Sequence, residues 1–367
     1  MSRVSRALVC GLGASGMGAA RLLRAEGAAV LAVDERDTPE GRSGAEGLKA
    51  LGCDVMLGAR LPPDGEFDVA VVSPGLSVEA PFLSHLRRRG IPLVAEMELG
   101  WSRFRGRTIA VTGSNGKGSV VKALAECLGA SGVQAIPCGN YGLPVCQALL
   151  DFPGADALVI EVSSFQLETC GTFRPDIGVL MNVLPNHLDR HGTLEAYARM
   201  KSRLFAHQRE GDWALTPCEW GQRFREWSRG GGRWKTFGTE AESDFRFTAG
   251  HLRLRAGAEL DIQGSYFSNE VLGPNAAALF GAATAAGLAP AVVQETLARF
   301  KPLPHRAEVV GEFNDVRYVN DSKATNLSAM MASIRMQDRP VWLIAGGRPK
   351  ETDFSAAIPV LKERVKG

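Results

Sequence analysis

The run Thr112-Gly113-Ser114-Asn115-Gly116-Lys117-Gly118-Ser119 follows directly on the apolar stretch TIAV and opens onto VVKALAECLGASG. A strand that feeds a glycine turn and then a helix aims several backbone N–H groups at one point. The helix N-terminus adds a partial positive charge there, and Lys117 adds a full one. That assembly suits the phosphates of a nucleotide, and a hydroxyl just after the lysine suits Mg²⁺. The interval between the glycines is shorter than in the generic GxxxxGK[ST] pattern. Gly118 also stands where Ser or Thr ordinarily follows the lysine, so Ser119 is the hydroxyl expected on the metal side.

A second group can meet that loop. Glu161 closes the apolar run DALVI, which puts it at the C-terminal end of a strand, the edge where open α/β sheets collect ligands. His187 and Asp189 follow another such run, DIGVLMNV, within NVLPNHLDRHG. Oxygen donors from Glu161 and Ser119, with His187 near a second ion, suit Mg²⁺ bridging phosphates. Lys201 lies in the helical stretch LEAYARMKSRLF. Taken singly, Lys201 reads as a surface lysine and His187 as a capping or core histidine; it is their company that points to chemistry. Near the N-terminus, Gly11-x-Gly13-x-x-Gly16 follows a strand and Asp34 ends the next one, which is the dinucleotide fingerprint. Alone it is weak evidence for an NAD-dependent oxidoreductase, and no hydride-transfer site accompanies it.

These residues need a scaffold of alternating strands and helices, and the sequence supplies one. ALVCGLG, AAVLAVDE, DVAVVSPG and IPLVAE read as strands separated by amphipathic stretches, which predicts a parallel sheet with helices on its faces. The second unit starts at RTIAV and includes DALVIEVSS and DIGVLMNV as strands. Residues 207–260 change character, being rich in Trp, Gly, Arg and Glu; they predict a small antiparallel region or loops. Ala-rich and amphipathic helices follow near 275–287 and 290–300, and a third strand-rich start appears at DVRYVNDS and VWLIAGG.

Composition narrows the function. The chain has 367 residues, 45% of them hydrophobic and 22% charged, which is ordinary globular protein of two or three domains. The balance of 42 basic against 40 acidic residues provides no field for nucleic acid. Seven scattered cysteines without a CxxC pair argue against a disulfide framework or zinc cluster and for a reducing compartment. Residues 7–20 mimic a signal peptide but are better read as a glycine-rich strand-turn-helix. The uncharged-looking stretch Val271–Gln294 has too little Leu, Ile and Phe for a membrane span. The expectation is a cytoplasmic protein with no membrane partner.

TGSNGKGS, EVSSFQLE (161–168), NHLDRHG (186–192), YARMKSRLF (197–205), LPHRAEVV (303–310) and NDSKATN (320–326) occur in the order seen in the Mur ligases, and the chain resembles that family from about residue 7 to 360. The resemblance implies a three-domain α/β architecture: a UDP-sugar-binding Rossmann-like domain at 1–105, a central ATP-binding domain at 106–305 and part of a C-terminal ligase domain at 306–367. EVSSFQLE is similar to the branch that adds D-glutamate to UDP-N-acetylmuramoyl-L-alanine through an acyl phosphate, with ATP and two Mg²⁺. Lys117 and the loop amides from Thr112 to Ser119 would hold the ATP phosphates, with Asn275, Arg306 and Asp321 also on the nucleotide side. Ser119 and Glu161 would serve one Mg²⁺, and His187 and Lys201 the second. Lys201 matches the lysine that this family carbamylates. Gly13, Ala14 and Ser15 would take the diphosphate of the UDP-sugar, Asp34, Glu35 and Arg36 the uridine end, and Ser73 and Gly75 the same pocket. Asn140, Ser163, Lys323, Thr325 and Lys350 match further substrate positions. The resemblance implies a monomer.

The sequence departs from the family in two places. LGPNAAAL is abbreviated before the Ala-rich helix, which puts the adenine contacts there in doubt. A third domain beginning near 306 has about half the family's length, so the expectation is that it is loosely held and that ligation is slow. A UDP-sugar-binding protein that has lost catalysis is the competing expectation.

Overall fold

Short apolar runs separated by helical stretches can bury both faces of a sheet only if each crossover lays a helix back on it, and the chain does this twice. The computed structural model describes residues 4–255, 257–347 and 353–367. The first sheet is built from β1 (Arg6–Cys10), α1 (Ala14–Ala25), β2 (Ala29–Asp34), α2 (Pro39–Ala50), β3 (Asp54–Leu57), β4 (Val69–Val72), α3 (Pro81–Arg88), β5 (Leu93–Ala95) and α4 (Glu96–Trp101). Its strands lie in the order β3-β2-β1-β4-β5, all parallel. The order reverses between β1 and β4, which places the glycine turn after β1 at the switch point where such sheets bind ligands.

The central sheet has nine strands. β6 (Arg107–Thr112), α5 (Lys117–Ala130), β7 (Ala135–Gly139), α6 (Val145–Asp151), β8 (Ala157–Glu161), α7 (Ser164–Leu167) and β9 (Ile177–Leu180) lead to α8 (Leu188–His191) and α9 (Leu194–Ser202). β10 (Trp213–Pro217), α10 (Cys218–Ser228), β11 (Arg233–Gly238), β12 (Phe245–Thr248), β13 (His251–Leu254) and β14 (Glu259–Asp261) complete it, and α11 (Gly273–Ala285) and α12 (Pro290–Arg299) cover one face. The strand order is β14-β13-β12-β11-β10-β9-β6-β8-β7. β6 is flanked by β8 and β9, so the phosphate loop, Glu161 and the chain after β9 leave the sheet side by side. One core packs α5, α11 and α12 on one face, with Phe237, Phe245, Phe267 and Phe280 fully buried. The other packs α6, α9 and α10 on the opposite face around Phe173, Tyr197, Phe205 and Phe224.

Two expectations need correction. Residues 207–260 are not mainly antiparallel: β10 pairs parallel to β9, β11 to β10 and β12 to β11, and only β13 and β14 run antiparallel. The aromatic residues that disguised this segment form the packing between α10 and the sheet, with Trp220, Phe224 and Trp227 in mutual ring contact. VWLIAGG does not form a strand either. After β15 (Glu308–Phe313), β16 (Val316–Asn320) and α13 (Leu327–Arg335), Val341 makes only an isolated bridge to Val365, just beyond α14 (Ile358–Arg364). A parallel strand is held by its neighbours, and β15 and β16 pair only with each other. Val309, Phe313, Trp342 and Ile344 are accordingly exposed. Among the described residues no helix is long and apolar enough to cross a membrane.

Candidate active site

Gly113 to Gly116 form the turn between β6 and α5, and its shape depends on a residue two strands' connections away. Asn182, just past β9, accepts the N–H groups of Ser114 (3.1 Å) and Asn115 (2.9 Å) on its side-chain oxygen and returns its amide to Asn115 O (3.1 Å). Ser114 Oγ exchanges hydrogen bonds with Leu184, donating to its carbonyl (3.0 Å) and accepting from its N–H (2.9 Å). The turn is thus fastened to the β9–α8 connection, which carries His187.

Two lysines converge on the turn. Lys117 Nζ donates to Gly113 O (2.9 Å) and Ser114 O (3.0 Å), and Lys201 Nζ donates to the same Gly113 O (3.0 Å). Lys201, read from its helix alone as a surface residue, is only 1% exposed and lies 4.2 Å from the centre of the Tyr197 ring. Tyr197 and Lys201 are one turn apart on α9, so both face the loop. Burial pushes the Lys201 ammonium well below its usual range, and the Lys117 charge pushes it further, against the opposing pull of Glu161. Lys117 is also lowered, by burial and by Arg306, with Glu161 again opposing. Two lysine amines held on one carbonyl, both shifted by desolvation, mark this turn as a candidate functional site.

Glu161 ends β8 and is 7% exposed. Asn140 donates its side-chain amide to Oε1 (2.7 Å) and its backbone N–H to Glu161 O (2.8 Å). The other oxygen, Oε2, lies against Gly118: a Cβ at that position would sit 3.0 Å from it. The glycine that departs from the generic loop is therefore what lets the carboxylate approach α5. Ser119 is 6% exposed and lies near the hydroxyl of Tyr266, whose ring packs on Phe267 and Phe300. The Asn275 side chain lies against Gly116, within 3.1 Å of where a Cβ would be.

The donors offered here are a serine hydroxyl and a carboxylate, hard oxygens of the kind Mg²⁺ takes when phosphates and water complete its shell. No group of three or more His, Cys, Asp and Glu among the described residues could hold an ion by itself. Thr112 Oγ1, under the turn, is buried and has no hydrogen-bond partner. The set fits a metal brought with a nucleotide.

His187 adopts the left-handed conformation (φ 55°) at the start of α8 and meets the Phe165 ring edge-on, with centroids 4.7 Å apart. Ser163 uses its hydroxyl to cap α7, accepting from Gln166 N (3.2 Å). Arg306, Asp321, Lys323 and Thr325 come from the chain around the β15–β16 hairpin. Arg306 lies close enough to influence Lys117 and Tyr266, and Asp321 accepts from Ala307 N (3.0 Å). Lys323 and Thr325 are exposed. Asn326 caps α13 and donates to Asn115 Oδ1 (3.0 Å), tying this segment to the phosphate loop. Lys350 lies outside the described residues.

In the first sheet, Asp34 is fully engaged in shaping the glycine turn, accepting from Leu12 N (2.7 Å) and Arg36 N (2.9 Å). Ser73 Oγ donates to Gly11 O (3.0 Å). A Cβ at Gly16 would fall 1.8 Å from that same carbonyl, so only glycine lets α1 pass the turn. Gly13, Ala14, Ser15 and Gly75 surround the N-terminus of α1 and the Ser73 turn, and Glu35 and Arg36 are exposed just beyond Asp34. Sequence reading missed Asn182, Tyr266 and Asn326, which act through partners far away in the chain. Tyr197 could have been found from its four-residue spacing to Lys201.

Residues 111–271 match the Mur ligase middle domain, and residues 5–95 match the Mur ligase MurD-like N-terminal domain. A UDP-N-acetylmuramoylalanine–D-glutamate ligase from Pelotomaculum thermopropionicum is 37% identical over 382 residues, covering 98% of this chain and 81% of the relative. The chain belongs to the Mur ligase family. A relative of the same name from Koribacter versatilis is 34% identical and covers 99% of this chain and 82% of its own. Among solved structures, MurF from Acinetobacter baumannii matches with a TM-score of 0.58 at 17% identity, over 85% of this chain and 69% of that one. MurF from Thermotoga maritima in complex with ADP matches with a TM-score of 0.55 at 18% identity, over 85% and 73%. These similarities bear out the multidomain α/β fold with its parallel sheets.

Proposed function

We propose that this Mur ligase adds D-glutamate to UDP-N-acetylmuramoyl-L-alanine at the expense of ATP, in the cytoplasm and as a monomer, and so contributes to peptidoglycan precursor synthesis. The observation that carries the reading is the convergence of Lys117 and Lys201 on the Gly113 carbonyl, with Glu161 and Ser119 beside them. Agreement with relatives of that name over 98–99% of this chain and 81–82% of theirs supports it.

A carboxylate is a poor acylating agent, so the alanine carboxylate takes the γ-phosphoryl group and ADP leaves. The D-glutamate amine then attacks the acyl carbon, and the tetrahedral intermediate loses inorganic phosphate and a proton to give the amide. Two anions must meet in the first step. The loop amides and the Lys117 ammonium orient the triphosphate and offset its charge, and Arg306 adds a second positive group near the same phosphates. The turn after β1 and the N-terminus of α1 would take the UDP diphosphate, which sets where the alanine carboxylate reaches. Ser119 and Glu161 would hold one Mg²⁺, and His187 with a carbamylated Lys201 a second; when bound, the ions would supply charge neutralisation to the phosphoryl transfer. Asn140 holds the Glu161 carboxylate in place, and the burial that lowers the Lys201 pKa favours the uncharged amine that carbamylation requires.

Calorimetric titration with UDP-N-acetylmuramoyl-L-alanine and with Mg-ATP, followed by D-glutamate-dependent phosphate release, tests the reading. Both affinities and turnover are expected. Sugar binding without Mg-ATP binding or turnover would instead support a non-catalytic UDP-sugar-binding protein. Intact mass spectrometry in bicarbonate checks the carbamate, expected on Lys201 and absent from Lys201→Ala.

A further inference from the structure

Arg190 belongs to the second unit of the chain, in α8, but its guanidinium ends on the first. Its Nη2 donates to Leu76 O (2.9 Å), while Nε donates to Glu168 Oε1 (3.0 Å) and Nη2 also meets Glu168 Oε2. The Glu168 side chain is 5% exposed, so this is a largely buried, two-pronged ion pair. Leu76 closes a tight turn whose opening residue is Ser73, with Leu76 N donating to Ser73 O (3.1 Å), and Ser73 Oγ is the group that holds the Gly11 carbonyl. The guanidinium carbon lies 4.5 Å from the centre of the Phe165 ring, which makes a T-shaped contact with His187.

We propose that Arg190, aimed by Glu168, is a positioning residue that clamps the Ser73–Leu76 turn of the sugar-side domain to Phe165 and His187 of the ATP-side domain. The clamp fixes the separation between the diphosphate turn and the phosphoryl-transfer edge, and hence where the alanine carboxylate of the sugar substrate arrives. Neither residue was singled out by sequence, because Leu76 lies 114 residues from Arg190. The proposal deepens the ligase reading and rests on it for the identity of the substrate. A planar fork is required: a guanidinium over a ring can serve two carboxylate oxygens and a carbonyl in fixed directions, whereas an ammonium cannot.

The test uses Arg190→Lys and the double variant Arg190→Gln/Glu168→Gln, which avoids leaving Glu168 buried and unpaired should Arg190→Ala fail to fold. A charge-assisted hydrogen bond of this kind corresponds to about a tenfold or larger change in an equilibrium. The KM for UDP-N-acetylmuramoyl-L-alanine is therefore expected to rise about tenfold in both variants, with the KM for ATP within about twofold of the parent. Hydrogen exchange at Leu76, whose amide is held within the turn, should quicken in both. A sugar KM and an exchange rate equal to those of the parent in either folded variant would overturn the clamp. If the parent fails to bind the UDP-sugar, the ligase reading falls, and the exchange comparison still decides the clamp.

Discussion

Replacing Gly118 by alanine sets two effects of opposite sign against each other. Gly118 is the second residue of α5, and alanine there relieves the entropic handicap of glycine in a helix, a gain of about 0.5–1 kcal/mol. The added methyl would stand 3.0 Å from Glu161 Oε2 and 3.4 Å from Leu303 Cδ1. The leucine contact is tolerable with a slight shift, but the carboxylate contact is too close, and Oε1 is already tied to Asn140 at 2.7 Å. Glu161 must then retreat by a few tenths of an ångström and strain or lose that bond. The fold loses little, because Glu161 sits at the sheet's edge and its backbone stays paired. Chemistry loses more, since a hydrogen bond to a charged group is worth about 1.5–3 kcal/mol and small misplacements of reacting groups are costly. The expected outcome is a kcat lowered about tenfold, equivalent to about 1.4 kcal/mol in the barrier. The Tm stays within about 2 °C of the parent or rises. D-Glutamate-dependent phosphate release and thermal unfolding on one sample read both. Full activity in Gly118→Ala would show that the position of Glu161 against α5 does not matter. A large fall in Tm would show that the loop, and not the carboxylate, had given way.

Glu96, 3% exposed and with Oε2 unpartnered, has its carboxyl pushed up to about 7 by burial, despite the N–H of Cys146 on Oε1. Between about pH 4.5 and 7 the unfolded chain gives up this proton while the folded chain keeps it, so stability falls as pH rises and the full cost, about 3 kcal/mol, is present above about pH 7. Glu96→Gln should therefore raise the Tm at pH 8 and flatten its decline between pH 5 and 8, as read by calorimetric unfolding across that range; an unchanged pH profile would refute it. Gly16→Ala should cost about 3 kcal/mol or more and abolish sugar binding while leaving Mg-ATP binding in place, because the new methyl collides with Gly11 O. Gly47→Ala, in α2 with nothing within 4 Å of the added methyl, is the control that should bind the sugar normally; calorimetric titration of the pair separates crowding at the turn from the mere loss of a glycine.

What could be read from sequence follows the range of the interactions involved. The turn from Gly113 to Lys117 was legible because strand, glycines, lysine and helix are consecutive, and the same holds for Gly11 to Gly16. Glu161 was placed correctly at a strand end because an apolar run precedes it. Lys201 is different: its burial comes from Gly113, 88 residues earlier, and from a tyrosine ring on its own helix, so periodicity alone leaves it on the surface. Asn182 and Asn326 reach the loop across 67 and 211 residues. The segment 207–260 misled because β10 to β12 owe their direction to β9, and a parallel partner leaves no local mark on the strands it accepts. VWLIAGG misled in the opposite sense, since an apolar run supplies the faces of a strand but not its neighbours. Gly118 joins the two cases. Its sequence neighbours mark it as irregular, but the reason for the irregularity is a carboxylate delivered by the adjacent strand β8, so the departure was visible locally and intelligible only once the order β9-β6-β8 was known.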